Sequence, residues 1–309
     1  MNKLVSVLIP SYNHAAFISE TIQSILAQTY QNFEIIIVDD GSKDHTEEVV
    51  NRFVDSRIRY FPFSHNKGAA EANSEAVRRS QGEYICVISS DDTWVAHKLE
   101  TQVNFLNANA EIGAVFTKVN YINEESEQIN AEYKARHGDV FDQANRSRTE
   151  WLKRFFFEGN CLCHPSVMLR RLCYEEIGLY DNRFRQLPDQ DFWIRLLKKF
   201  QIHVLDERLV NFRILNREAN ASSPSLINQQ RTHSELFLIG AKFFNDLDQT
   251  DFRAIFDGLV RDTNFSGEKA YEIEKAFALL EPVPWLSEMY AASGYLKLYS
   301  LMQNDEARE

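Results

Sequence analysis

Two pairs of adjacent aspartates are the residues of this chain best suited to do chemistry. They are Asp39-Asp40 and Asp91-Asp92, and each follows an apolar run without alternation, the pattern of a strand covered on both faces. Adjacent carboxylates are costly to bury unpaired, but they can hold a hard divalent cation together with substrate phosphates. The alternative for each pair is a turn or the cap of a following helix.

Strands and helices alternate around these aspartates, with short connections. Apolar runs predict strands at residues 4–9, 33–38, 58–63 and 84–88, and helical spacing predicts helices at 16–28, 46–53, 69–80 and 98–107. This alternation is typical of an α/β fold with a mostly parallel, doubly wound sheet. Later in the chain we expect strands at 114–121, 163–171 and 203–213, helices at 151–157, 187–197 and beyond 226, and a solvated, mobile excursion at 123–148.

Three polar clusters are expected at one edge of this sheet. The first strand ends in Pro10-Ser11-Tyr12-Asn13, and the two acidic pairs end the second and fourth strands. The carboxyl ends of parallel strands share an edge, where ligands of such folds bind. No glycine precedes Gly41, so the Gly-x-Gly-x-x-Gly signature of dinucleotide cofactors is missing, as is a phosphate-binding P-loop sequence.

Composition narrows the class of protein. The 309 residues are 44% hydrophobic, which is enough for a large core, and the net charge of −11 argues against a generic nucleic-acid binder. The four cysteines lack zinc or redox spacing, as is usual for reduced thiols in a cytosolic protein. No run approaches the ~18 apolar residues of a membrane span. We therefore expect a cytoplasmic protein, at most peripheral at the inner face of a membrane.

Several motifs, in order, resemble those of the family 2 glycosyltransferases of the GT-A fold. They are VSVLIPSYN at residues 5–13, IIVDDGSKD at 36–44, NKG at 66–68, and GEY at 82–84 followed by the second acidic pair. The resemblance extends over residues 5–221. It implies an inverting transferase that uses Mn²⁺ or Mg²⁺ and a nucleotide-diphosphate sugar, most commonly of uridine. Its acceptor would be a saccharide or lipid-linked saccharide, as in surface polysaccharide synthesis.

The resemblance also implies roles for the residues at the strand ends. The donor nucleotide is expected to contact Pro10, Ser11, Tyr12, Asn13, Asp39, Asp40, Asn66, Lys67, Gly68 and Asp91. Among these, Asp39 would order a turn, Asp40 would accept a hydrogen bond from the base, and Asp91 would face the ribose. Asp91 and Asp92 form the family's acidic metal motif, in which Asp92 would ligate the cation that bridges the diphosphate.

One carboxylate is expected to act as a general base. In an inverting transfer the acceptor hydroxyl loses its proton as it attacks, so a single base suffices when a metal neutralises the leaving diphosphate. Asp189, six residues before Arg195, matches the family's catalytic position, with Pro188 where relatives have glutamate. Asp191 is the second candidate. The alternative for both is a place in the first turn of a helix, which favours acidic residues.

Three residues are candidates for contacts with the acceptor. His164 lies in a stretch that resembles the acceptor side of the family, although a structural histidine is an equal alternative. Trp193 belongs to an apolar helical face. Arg213 lies in a segment that resembles the family's closing Tyr-Arg-x-His.

The chain also departs from the family pattern at three places. Ser89 stands where many members have another aspartate, and Leu215 where many have a histidine. The helix after Gly68 lacks the family's arginine, so Lys67 or Arg78 is expected to supply positive charge for the donor.

We expect two domains, a GT-A catalytic domain at residues 1–222 and a helical region at 223–309. The helical region could cap the catalytic domain, bind the acceptor, form an oligomer contact or rest on a membrane. Two other functions stay open from sequence. One is a non-catalytic nucleotide-sugar or glycan-binding module, and the other is a sugar nucleotidyltransferase, which would release pyrophosphate rather than nucleoside diphosphate.

Overall fold

The computed structural model describes residues 3–215, 225–261, 267–281 and 287–303. In these ranges the strands are β1 (Val5–Ser11), β2 (Phe33–Asp39), β3 (Ile58–Pro62), β4 (Tyr84–Val87), β5 (Thr93–Trp94), β6 (Ile112–Ile122), β7 (Met168–Arg170) and β8 (Gln201–Arg213). The helices are α1 (Ile18–Leu26), α2 (Thr46–Val50), α3 (Ala69–Arg79), α4 (Lys98–Ala108), α5 (Asn130–His137), α6 (Arg148–Glu158), α7 (Arg171–Ile177), α8 (Pro188–Leu197), α9 (Leu226–Lys242), α10 (Gln249–Ile255), α11 (Glu268–Leu280) and α12 (Ser287–Met302). None of the helices in these ranges is long and apolar enough to cross a bilayer.

One sheet joins the strands in the order β3-β2-β1-β4-β7-β6-β8-β5. Its first four strands are parallel, as the alternation of strand and helix predicts. In the second half β7 runs antiparallel to both of its neighbours, and β5 runs antiparallel to β8. The sheet is therefore mostly parallel at the end that carries the polar strand termini and mixed at the other.

Two hydrophobic cores lie on the two faces of the sheet. Along β1, Leu8 belongs to one core, whereas Val7 and Ile9 belong to the other, as the two-residue period of a strand requires. Strands β1, β2 and β4 are buried along almost their whole length. Burial on both faces explains why their sequences are apolar runs rather than alternating patterns.

The C-terminal helices share the first of these cores with the sheet. The ring of Phe156 on α6 lies 4.8 Å from that of Phe243, which follows α9, and 4.9 Å from those of Phe256, after α10, and Tyr290 on α12. The predicted domain boundary between residues 222 and 223 lies outside the described residues. The helices beyond it pack directly onto the α/β part of the chain.

β1 runs two residues further than predicted, through Pro10 and Ser11. Pro10 pairs in register with Val38 of β2, whereas the pairing of β1 with β4 ends two residues earlier. A proline is tolerated there because the strand has a partner on one side only, so its missing N–H leaves no bond unmade. The added length carries Ser11 to the level of Asp39.

Residues 123–148 contain no buried residue, in agreement with the predicted solvated excursion, but they are not without regular structure. They contain α5, and Tyr133 of this helix stacks on Tyr121 of β6 with ring centroids 4.2 Å apart. Phe141 lies 6.4 Å from the same ring. Phe141 also lies 5.5 Å from the ring of Phe212 on β8, and the local composition gives no sign of this distant contact.

The single strand predicted at residues 163–171 is three short elements. A 3₁₀ turn at His164–Ser166 precedes β7, and α7 follows without a break. Pro165 fixes its own φ and lacks an N–H, which favours the turn over a continuous strand. The strand prediction was correct only for β7.

Candidate active site

The ends of β1 and β2 are joined through Asp39 and Asp40. The N–H of Asp40 donates a 2.8 Å hydrogen bond to the carbonyl of Ser11. The carboxylate of Asp39 accepts a 2.6 Å bond from the N–H of Ser42 and a 2.9 Å bond from the hydroxyl of Tyr60. Asp39 therefore holds the turn after β2, the arrangement expected of it.

Asp40 joins the same edge to the turn before α3. Its two carboxylate oxygens accept hydrogen bonds from the N–H groups of Lys67 (2.6 Å) and Gly68 (2.8 Å). Asp40 is 4% exposed, and burial raises the pKa of its carboxyl group against the opposing effect of these amides. The backbone of Gly68 has φ +98°, a conformation that favours glycine.

The loop after β1 reaches the loops after β2 and β4. Asn13, at φ +53°, donates its N–H to Ser42 Oγ at 2.8 Å and accepts from the N–H of Lys43 at 2.8 Å. His14 Nδ1 lies 2.7 Å from Ser90 Oγ, next to the second acidic pair. Tyr12 is 44% exposed at the mouth of this edge. The three polar clusters predicted at one edge of the sheet are thus brought together.

The second acidic pair is almost fully buried, with Asp91 7% and Asp92 1% exposed. It caps no helix, because β5 follows directly and α4 begins only at Lys98. Oδ1 of Asp92 accepts a 2.8 Å hydrogen bond from the N–H of Arg213, while Oδ2 is buried and has no hydrogen-bond partner in the described chain. Burial and the charge of Asp91 raise the pKa of Asp92 well above its usual value.

A divalent cation fits this pair as a partial set of ligands. A buried carboxylate oxygen without a partner is costly, and a cation at Asp92 Oδ2 would satisfy it. In the ranges that the structure describes, no three His, Cys, Asp or Glu side chains form a group that could hold a metal. The residues present therefore suit a cation that takes one or two carboxylates and completes its shell with water and substrate phosphates.

Arg213 lies behind the acidic pair rather than on an open acceptor face. Its side chain is fully buried. Nε donates to the carbonyl of Asp91 at 2.6 Å, and a terminal nitrogen pairs with Glu20 of α1 at 2.6 Å. Because β8 ends beside Asp92, Arg213 fixes the backbone of the pair, and the guanidinium is occupied by the protein itself.

Asp189 is the second residue of α8, and its carboxylate contacts neutral amides rather than a positively charged side chain. Its carboxylate accepts a 2.7 Å hydrogen bond from the side-chain amide of Asn160 and a 2.9 Å bond from the N–H of Gln190. Burial raises the pKa of Asp189 to about 6, against the lowering effect of these two bonds. A carboxylate with this pKa is ionised near neutral pH and can still take up a proton.

Asp191 has different surroundings, although it lies in the same turn. It is 6% exposed, and its carboxylate pairs with Nε of Arg195 at 2.9 Å. The same guanidinium donates to the carbonyls of Ile177 and Leu179. Asp191 thus joins α8 to the end of α7.

The two remaining acceptor candidates lie next to each other in the protein interior. His164 Nε2 is 2.8 Å from the hydroxyl of Tyr180, and burial lowers the pKa of His164 to about 4, so the imidazole is neutral. Trp193 has no exposed surface and packs edge-on against Phe116, with ring centroids 5.0 Å apart. The structure therefore places the indole of Trp193 in the core and not on a surface that a sugar could stack on.

Both acidic regions act on the thiol of Cys163. Burial raises the pKa of this thiol well above its usual value, and the charges of Asp92 and Asp189 both add to the rise. The metal motif and the candidate base are therefore both within electrostatic range of this one side chain.

Arg185 is a site residue that sequence reasoning missed. One terminal nitrogen donates to the carbonyl of Lys67 at 2.6 Å, and the guanidinium fills the space beside Gly68 and acts on the charge of Asp40. Of the two expected sources of positive charge, Arg78 instead pairs with glutamates along α3. Arg185 is 118 residues from Lys67 in sequence, and no local motif marks it.

The fold and the site define a class of protein, an α/β protein with a polar, acidic site at the carboxyl edge of its sheet. Comparison with known families identifies the class further. Residues 6–177, more than half of the chain, match the family described as Glycosyl transferase family 2. The chain belongs to this family and is a glycosyltransferase, as the sequence motifs indicate.

Curated relatives are also named as glycosyltransferases. A putative teichuronic acid biosynthesis glycosyltransferase, TuaG, of Bacillus subtilis is 32% identical over 71% of this chain and 82% of its own length. WfgD of Escherichia coli, named a UDP-Glc:alpha-D-GlcNAc-diphosphoundecaprenol beta-1,3-glucosyltransferase, is 43% identical over 34% of this chain and 42% of its own.

Solved structures support the GT-A fold. The structure of S. aureus TarS 1–349 in complex with UDP-GlcNAc matches 98% of this chain and 91% of that one, with a TM-score of 0.66 at 16% identity. A mannosyltransferase from Pyrobaculum calidifontis in complex with GDP-Man and Mn²⁺ matches 97% and 75%, with a TM-score of 0.52 at 18% identity. The predicted fold, a GT-A sheet with a C-terminal helical region, is confirmed.

Proposed function

We propose that this chain is an inverting glycosyltransferase that moves a sugar from a nucleotide-diphosphate sugar to a hydroxyl of a saccharide acceptor. The observation that carries the proposal is Asp189. It is a partly buried carboxylate with a pKa of about 6, its Oδ2 accepts a hydrogen bond from a neutral amide, and its charge acts on the same thiol as that of Asp92. These are the properties that a general base needs beside a donor site.

The reaction is a single displacement. The acceptor oxygen forms a bond to the anomeric carbon while the bond from that carbon to the diphosphate oxygen breaks, and the hydroxyl proton passes to the carboxylate of Asp189. The amide of Asn160 holds that carboxylate in one orientation during the transfer. A divalent cation at Asp92 would supply neutralisation of the charge that develops on the leaving diphosphate.

The donor-binding roles follow from the strand ends. In this proposal Pro10, Ser11, Tyr12 and Asn13 flank the nucleoside, Asp40 receives the base, Asn66, Lys67 and Gly68 form the adjoining turn, and Asp91 faces the ribose. Arg185 supplies the positive charge that the family places on the following helix. UDP is the nucleotide we propose, because the E. coli and S. aureus proteins are described with UDP-sugars.

Mn²⁺ or Mg²⁺ is the cation we propose. The buried, unpartnered Oδ2 of Asp92 supports it, as does the presence of Mn²⁺ in the structure of the mannosyltransferase. The acceptor we propose is a saccharide of a surface polysaccharide, carried on a lipid diphosphate as in the name of the E. coli relative. An acceptor of that kind would bring this protein to the inner face of a membrane.

Replacement of the base tests the reaction. Asp189→Asn keeps the shape of the side chain but cannot take up a proton, so we expect transfer to fall by at least about 100-fold. The affinity for the donor should stay within about threefold of that of the wild type, since the substitution does not change the strand ends that we propose bind the donor. The measurement is nucleoside diphosphate released from a donor panel, with binding followed by titration.

Asp191→Asn is the matched control, because it changes the same turn at a carboxylate that Arg195 already neutralises. It should lower the melting temperature and reduce transfer by less than about tenfold. Equal losses in the two variants would contradict the assignment of the base. Donor binding without any transfer would indicate a binding module, and release of pyrophosphate would indicate a nucleotidyltransferase.

A further inference from the structure

The carboxylate of Glu235 on α9 binds the backbone just before α8, the helix that carries Asp189. Its Oε1 accepts a 2.7 Å hydrogen bond from the N–H of Arg185. Its Oε2 accepts bonds from the next two N–H groups, those of Gln186 at 2.9 Å and Leu187 at 2.8 Å. Three consecutive backbone amides thus point at one carboxylate that is only 4% exposed. Charge-assisted bonds of this kind are stronger than neutral ones and fix the backbone that makes them.

The last of these amides, that of Leu187, lies at the N-cap of α8, and the other two precede it. Leu187 precedes the first residue of the helix, Pro188, and no side chain of α8 itself caps that end. Helices begin with N–H groups that lack internal partners, and a negative charge at this end is favourable. Glu235 supplies both the acceptor and the charge from a different helix. Asp189 follows at the next position of α8, so its carboxylate is fixed by the geometry that Glu235 imposes.

Glu235 also acts directly on the base. Burial is the main cause of the raised pKa of Asp189, and the charge of Glu235 adds to it. A second contact ties the same segments, since the side-chain amide of Gln186 donates to Asn228 of α9 at 3.1 Å. The helix that carries Glu235 therefore lies against the entry to α8 at more than one point.

We propose that Glu235 is a positioning residue for the base Asp189, so that α9, beyond the family's catalytic segment, is part of the catalytic apparatus. The inference rests on the function proposed above. It goes beyond that function because no donor, metal or acceptor role is asked of Glu235. Its carboxylate acts through the backbone of residues 185–187 and through its charge on Asp189.

Glu235→Gln is the direct test. The amide keeps the volume of the side chain but replaces one acceptor oxygen by an NH₂ group, so at least one of the three amides loses its partner. Because a small displacement of a catalytic group is costly, we expect kcat to fall by about 10- to 100-fold. The KM for the donor should change by less than about threefold, because Arg185 stays bonded to Lys67 through its guanidinium.

Glu274→Gln is the matched control. Glu274 is also a buried glutamate of the helical region, 5% exposed, and it also accepts a backbone N–H, that of Arg261 at 3.0 Å. It should leave kcat within about threefold of the wild type at a similar change in melting temperature. Hydrogen exchange at the amides of residues 185–187, measured without substrate, should accelerate in Glu235→Gln and not in Glu274→Gln.

Glu235→Asp keeps the charge on a side chain that is one methylene shorter, and its kcat should lie between those of the wild type and Glu235→Gln. This variant decides the matter if Glu235→Gln does not fold. Faster exchange at residues 185–187 with an unchanged kcat would overturn the inference and leave the proposed function standing. So would equal losses of kcat in the Glu235 and Glu274 variants. A wild-type protein inactive with every donor would overturn the proposed function and this inference with it.

Discussion

Two aspartates in one helical turn have been given different tasks by their neighbours. Asp189 is partly buried and accepts a hydrogen bond from the neutral amide of Asn160; burial raises its pKa to about 6. Asp191 forms an ion pair with the guanidinium of Arg195. A carboxylate in neutral surroundings with a raised pKa is suited to accept a proton, whereas the carboxylate of Asp191 is occupied by its ion pair. This difference separates the proposed base from the structural residue more clearly than position in the motif does.

The raised pKa of Asp189 predicts the pH dependence of transfer. A base works when ionised, so kcat/KM should rise with pH through about 6 and level off above it. In Asn160→Ala the carboxylate loses a bond that favours its ionised form, so the midpoint should move to higher pH. Initial rates between about pH 5 and 8 measure both. A flat profile, or a midpoint unmoved in Asn160→Ala, would contradict the assignment.

Some residues of the candidate site could be predicted from the sequence, and others could not. Asp39, Asp40, Asp91 and Asp92 follow apolar strands at one edge, so local pattern and topology together bring them to one place. Arg185, Asn160 and Glu235 act on partners 118, 29 and about 50 residues away. No local pattern marks such pairs, because only the folded chain brings them together. Arg213 is the opposite case. Its motif was recognised in the sequence, but its side chain is buried and positions the backbone of the acidic pair.

The turn before α3 is closely packed and lies at the edge of the sheet that we propose binds the donor. Gly68 supplies one of the two amides that hold Asp40, and its φ of +98° strains any other residue. A Cβ at this position would lie 1.7 Å from a terminal nitrogen of Arg185. The backbone conformation therefore favours glycine, and a Cβ would also displace the guanidinium packed on it.

Gly68→Ala should reduce UDP affinity by at least about tenfold. The guanidinium of Arg185 must move away from the turn, and the backbone hydrogen bonds to the carboxylate of Asp40 are disturbed. Gly138→Ala is the control, since Gly138 has φ +74° and no heavy atom within 4 Å of an added Cβ. It carries the same backbone strain, of order 1–2 kcal/mol, away from the site. Titration with UDP and thermal melting compare the two variants. Similar melting temperatures with equal UDP affinity would contradict the role given to this turn.

The elements themselves were predictable where burial is uniform along them. The apolar runs of β1, β2 and β4 gave the right strands because both faces of the sheet are covered. Prediction failed where a distant contact decides the structure. The contact of Phe141 with Phe212 of β8 holds a polar segment against the sheet, and a one-sided partner lets β1 continue through Pro10.

For the whole molecule, the helical region is part of the same folded body as the sheet. Aromatic residues of α9 to α12 pack in one core with α6 and α8, and Glu235 of α9 holds the start of α8. Sequence showed amphipathic helices but not which surface they cover, because helical periodicity identifies an apolar face and not its partner. In the proposed mechanism the base is positioned from this region, which lies beyond the residues 6–177 that match the family.

We propose that the carboxyl edge of the sheet binds a nucleoside diphosphate through a cation at Asp92. Titration of UDP into the wild type and Asp92→Asn, with and without Mn²⁺, tests this binding without the need for an acceptor. We expect Mn²⁺ to tighten UDP binding by at least about tenfold in the wild type and by less than about threefold in Asp92→Asn. Equal effects of Mn²⁺ on the two proteins, or no binding of UDP or any other nucleoside diphosphate, would contradict it.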